Sequence, residues 1–107
     1  MMLSSEKPTN IHEAIVNEFI TKFPQANDGY YALANIQVAK GDFANADKTM
    51  QTAISKVSAK DEAHYNFARL IYRNALIQEF AEKTKSVGWT LDKALDEIKK
   101  AETTKAN

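Results

Sequence analysis

The stretch 29-GYYALANIQVAKGDFANADKTMQTAISK-56 decides the fold, because two apolar-periodic runs meet in it at a single Gly-Asp. Tyr30, Leu33, Ala34 and Val38 recur at helical spacing over residues 28–40. Phe43, Ala46, Met50, Ala53, Ile54 and Val57 do the same over residues 43–57. Gly41 falls where the first run must stop and reverse. That is the left-handed position after a helix C-terminus, which glycine takes without steric cost. The stretch predicts two antiparallel helices joined by a tight turn.

Working outward, Asn10 with Glu13 three residues later predicts a capped helix start. That helix must end before Pro24 and carries Ile11, Ile15 and Phe19 on its apolar face, with Val16, Ile20 and Phe23 alongside. From Asp61 to Thr84 no Gly or Pro occurs, and Phe67, Leu70, Ile71, Ile77, Phe80 and Ala81 keep one face apolar. This segment reads as one long helix or two nearly continuous ones. "SVGWT", residues 86–90, breaks it, and Thr90 can cap a last helix whose buried stripe is Leu91, Ala94, Leu95 and Ile98. The expectation is an all-α fold of about five helices over residues 10–102, with disordered ends at 1–9 and 103–107.

Composition agrees. The chain has 107 residues, enough for one core, and only three Gly and two Pro, too few for the many turns of a β-sandwich. Fourteen Lys plus Arg balance fourteen Asp plus Glu, and no run gathers one sign into a phosphate-tracking stripe, so nucleic acid is not an expected partner. The absence of cysteine removes disulfides, zinc-thiolate sites and thiol catalysis. The N-terminus lacks a basic and then apolar leader pattern, and no run approaches a membrane span. The expectation is a cytoplasmic chain with no membrane insertion. The two initial methionines and the "ETTKAN" end are compatible with a domain cut from a longer protein.

A shift of 34 residues aligns the chain with itself. It pairs Asn27 with Asp61, Tyr31 with Tyr65, Leu33 with Phe67 and Ala34 with Ala68; backwards, it pairs Val16 with Met50, Ile20 with Ile54 and Phe23 with Val57. In this the chain resembles the tetratricopeptide repeat family, whose 34-residue unit follows an aromatic, Leu, Gly/Ala pattern on its first helix and Ala, large residue, Ala on its second. Residues 27–60 form the best unit. Tyr30, Leu33 and Ala34 stand on its first helix, Gly41-Asp42-Phe43 at the turn, and Ala46, Met50 and Ala53 on its second. Gln37 stands where the pattern has tyrosine and Ser58 where it has proline, and Ala75 replaces the turn glycine of the next unit. The resemblance implies antiparallel helical hairpins stacked in an α-α superhelix, one full repeat between half-repeats, with the helix from Leu91 as a C-terminal cap.

Chemistry is sparse. His12-Glu13 lacks the second histidine of a zinc-protease motif, since Val16 stands there. His64 takes an aromatic repeat position and reads as a packed ring, and Trp89 as a plug between helices. "DKALDEIKK", residues 92–100, reads as a solvated face with Asp96 and Lys100 paired at i,i+4. No catalytic group, metal or cofactor is expected.

In the family the first helices of successive units line a concave groove that takes peptides or partner helices, and its members act as scaffolds, adaptors and co-chaperones. The resemblance therefore points to Tyr31, Asn35 and Val38 on one inner helix and to Tyr65, Asn66, Arg69 and Arg73 on the next. Asparagines can bond both peptide backbone groups and arginines can fork onto carboxylates, so a peptide of some acidic character is the implied partner. Asn35 and Asn66 coincide with two asparagines of the subfamily that clamps chaperone C-terminal carboxylates, although Tyr31 stands where its first lysine belongs. The alternative expectation is an assembly or self-association module of a longer repeat protein.

Overall fold

The computed structural model describes residues 8–106, and within them the chain is helical without strands. Six α-helices follow in order: α1 (Pro8–Lys22), α2 (Asn27–Ala39), α3 (Phe43–Lys56), α4 (Lys60–Ala75), α5 (Ala81–Ser86) and α6 (Leu91–Ala106), with a 3-10 turn at Gln78–Phe80. The all-α expectation is met. Helices pack in chain order from α1 to α4, α2 also touches α4, and α6 lies along α4 in the most extensive contact of the molecule. The result is an elongated slab, 52 × 35 × 15 Å between Cα extremes.

The hairpin of α2 and α3 forms as the sequence dictates. Gly41 has φ +81°, so its backbone sits in the left-handed region. Asp42 then caps α3, its carboxylate accepting from the Asn45 N–H. Ala34 and Ala46 have no exposed surface and share one core cluster with Met50, Phe67, Leu70 and Ile71, where small residues let the helices approach. Gln37, where the repeat pattern has tyrosine, accepts a hydrogen bond from the Thr49 hydroxyl across the hairpin at 2.7 Å. Ser58, where it has proline, uses the N–H a proline would lack to donate to the Gln25 carbonyl at 3.1 Å. Asn27 adds bonds to the Ala59 carbonyl and to Glu62, so the α1–α2 and α3–α4 junctions are tied together.

Four expectations need correction. Of the two readings of segment 61–84, the single long helix is not observed and the two helices are broken apart: α4 stops at Ala75, Ile77 is extended, and α5 starts at Ala81 after the 3-10 turn. Leaving the α4 axis brings Phe80 within 5.3 Å of the Phe43 ring and lets Trp89 reach Phe43 and Phe67 at 5.5 and 6.1 Å. This aromatic burial outweighs continuing the helix. The first helix begins at Pro8 rather than after Asn10, since proline's fixed φ and missing N–H suit a first helical position. Residues 1–7 of the expected N-terminal disordered segment lie outside the described residues. Of the expected tail at 103–107, residues 103–106 are helical and continue from the buried Ala101, and Asn107 lies outside the described residues.

The fourth correction concerns the terminal helices. On α6 the stripe facing α4 is Ala94, Glu97 and Ala101, while Leu91 and Leu95 are about half exposed. Among the α1 residues whose burial is described only Val16 is buried, and Ile11, Ile15 and Phe19, with Phe23 just past the helix, remain open. Small residues allow α6 to lie close to α4, which turns its leucines outward. Thr90 does cap α6 through the Lys93 N–H, and Trp89 is buried with its indole N–H donating to Asp47 at 2.8 Å.

Candidate functional site

Residues four apart on a helix share a face, and α2 and α4 lie side by side, so their facing rows meet. Arg73 on α4 reaches α2, where its Nη1 donates to the Tyr31 hydroxyl at 3.0 Å and its Nη2 lies 3.5 Å from Asn35 Oδ1. One turn earlier, the Arg69 guanidinium stands over the Tyr31 ring, 5.2 Å from its centroid, and donates to Asn66 Oδ1 at 3.3 Å. Five of the seven expected residues, Tyr31, Asn35, Asn66, Arg69 and Arg73, therefore form one polar cluster.

The other two do not join it. Val38 is buried in the core with Phe43 and Phe67, because it lies four residues after Ala34 on the inward face of α2. Its place among the binding residues is withdrawn. Tyr65 is exposed but leans the other way, lining a groove between α4 and α6 with Tyr72, Leu91, Leu95 and Ile98.

The two asparagines also behave differently from each other. Asn35 Nδ2 donates back to the Tyr31 carbonyl at 2.8 Å, so both ends of its amide are engaged within the chain. It acts here as a prop for Arg73. The arginines are the reactive part of the cluster. Arg69 and Arg73 are the only arginines in the sequence, both are exposed, and among the described residues neither pairs with a carboxylate. Planar guanidiniums held in place by a phenol and an amide carbonyl present remaining N–H groups in a fixed fork, the geometry that matches a carboxylate.

A second polar cluster lies behind α4, around a carboxylate that the sequence reading places on a solvated face. Glu97 is 1% exposed, so it does not belong to a solvated face. Its Oε1 accepts from His64 Nδ1 at 2.7 Å and its Oε2 from Lys93 Nζ at 2.8 Å, with Lys100 Nζ at 3.6 Å. An ionised carboxylate only accepts, so His64 Nδ1 carries the proton. Burial pushes the Glu97 carboxyl up, but the bonds from Lys93 and His64 and the charges of Lys93 and Lys100 more than offset it and hold the group below its ordinary 4.5. The signal in the sequence was its position: Glu97 sits between Ala94 and Ala101, on the small-residue stripe of α6. This cluster ties α6 to α4, the helix that carries Arg69 and Arg73.

Among the described residues no three potential metal ligands come together, and no helix is long and apolar enough to cross a membrane. His12 is exposed on α1, and His64 is held by Glu97. Neither a protein-family model, nor a curated protein, nor a solved structure matches the chain.

Proposed function

We propose that this chain is a non-enzymatic protein-interaction module of tetratricopeptide type that binds an acidic peptide, or the acidic face of a partner helix, across the α2/α4 surface. The observation that carries the reading is the pair of arginines that among the described residues have no carboxylate partner, converging on Tyr31 and braced by Asn35 and Asn66. A surface arginine usually has many rotamers to lose on binding; here the cost is reduced because both are already oriented. The α2–α3 hairpin, the tied junctions and the α2–α4 contact support the repeat-type arrangement that would present them side by side. Recognition led by arginine fits this surface better than recognition led by asparagine, since the Asn35 amide is engaged within the chain. A role as adaptor, scaffold or co-chaperone follows from this mode of binding.

The test is selection of random displayed peptides on the immobilised protein. The reading expects enrichment of Asp and Glu and affinities that weaken with salt. Removing one charge-assisted bond by Arg73→Ala costs roughly 1.5–3 kcal/mol, a loss of about tenfold to a hundredfold in affinity. Selection of neutral or basic peptides that bind Arg69→Ala and Arg73→Ala as tightly as the original would refute it.

A further inference from the structure

We propose that copies of this chain associate head to tail, with the outer face of α1 in one copy seated in the groove between α4 and α6 of the next. The inference rests on the two ends of the helix stack and shares only Arg69 with the acidic-peptide reading, which it does not require.

The first surface is α1. Val16 and Ile20 meet the rest of the molecule, while Ile11, Ile15, Phe19 and Phe23 are 45, 62, 38 and 54% exposed. Ile11, Ile15 and Phe19 repeat every four residues along α1, and Phe23, just past its end, meets the Phe19 ring at 4.9 Å between centroids. The exposed residues adjoin Val16 and Ile20 and widen the apolar face of α1 beyond what the rest of the chain covers. A continuous exposed stripe of this kind marks a contact surface.

The second surface lies at the other end of the packing order. Tyr65, Ala68 and Tyr72 on α4 and Leu91, Leu95 and Ile98 on α6 enclose a groove of about 380 Å³. Tyr65, Tyr72, Leu91 and Leu95 are each half exposed within it. Its walls run seven residues on each helix, about 10 Å at 1.5 Å per residue; the stripe from Ile11 to Phe19 runs about 12 Å. Ridge and trough match in length and in apolar character.

Charge selects a second copy as the occupant. Arg69 lies on the lip of the groove and among the described residues has no carboxylate partner, and Glu18 flanks the α1 stripe beside Phe19, in an exposed contact with Lys22 at 3.5 Å. In the proposed seating Glu18 of one copy pairs with Arg69 of the next. Because stripe and groove are different surfaces, the contact is heterologous, and each added copy leaves one stripe and one groove open.

Sedimentation velocity across the micromolar to millimolar range tests this, with circular dichroism as the folding control. The average mass of the original protein should rise with concentration beyond a dimer. Ile15→Asp and Leu95→Asp, both at exposed positions, should each remain at the 12.0 kDa chain mass alone. Their mixture should form a dimer and nothing larger, since one supplies an intact groove and the other an intact stripe. Glu18→Arg should weaken assembly, and adding Arg69→Glu should restore it. A monomer at every concentration would overturn the proposal, whether the groove serves another protein or none. So would assembly of Leu95→Asp to the level of the original, which would mean stripe-to-stripe pairing, or a mixture that stays monomeric.

Discussion

Glu97→Gln isolates the electrostatic tie between α4 and α6, because it keeps the shape of the side chain and removes the charge. The carboxylate is fully buried and takes hydrogen bonds from His64 and Lys93 at 2.7 and 2.8 Å. Each bond to a charged group is worth roughly 1.5–3 kcal/mol net. The Lys93 and His64 side chains are 27 and 14% exposed, so water recovers part of that loss. The amide oxygen of glutamine also retains one acceptor. A destabilisation of about 2–3 kcal/mol is therefore expected at neutral pH, a fall of about 10 °C in Tm for a domain of this size. The pH dependence adds a sharper signature. A carboxyl whose folded-state pKa is lowered contributes stability that is fully present above the unfolded value and is lost as pH falls through the folded one. Thermal melts of both proteins should show a gap that holds at neutral pH and closes below 4.5, the ordinary value for the group. Equal melting temperatures at neutral pH, or a gap undiminished at about pH 3, would refute the assignment of Glu97 as a charged, buried tie.

Four further substitutions test the helical framework by chemical denaturation. Gly41→Val places a β-branched residue at φ +81° and should cost about 1 kcal/mol or more, the strain lying in the backbone because the nearby Lys83 ammonium can swing away. Ala34→Leu or Ala46→Leu should overpack the crossing of α2 and α3 by about 1–3 kcal/mol, since neither alanine has any exposed surface. Gly29→Ala would set a methyl group 2.7 Å from Ile20 Cγ1 and push α1 from α2, at a similar cost of about 1–3 kcal/mol.

The central hairpin was readable in the sequence because its signals agree. A glycine at the turn, an aspartate after it and alanines on both facing stripes all specify the same reversal. The end helices were less readable for a physical reason. Periodicity shows that a face is apolar, but not whether the same chain covers it, and Ile15, Leu91 and Leu95 are apolar, periodic and open. Glu97 was misread because a charged residue among lysines has the pattern of a solvated face, and only its spacing from Ala94 and Ala101 placed it inward. In the candidate site, the spacing of Tyr31 with Asn35 and of Arg69 with Arg73 put each pair on one face, as the helices show. The direction of Tyr65 depended on where α6 lies, which the α4 sequence does not encode.

The most direct test of arginine-led recognition on the α2/α4 surface is an NMR titration that follows backbone amides and arginine side-chain N–H groups while a display-selected acidic peptide is added. The account predicts the largest shifts at the Arg69 and Arg73 side chains, with accompanying shifts at Tyr31, Asn35 and Asn66. Saturable shifts confined to α3 or to the His64–Glu97 cluster, with both arginine side chains unmoved, would contradict it.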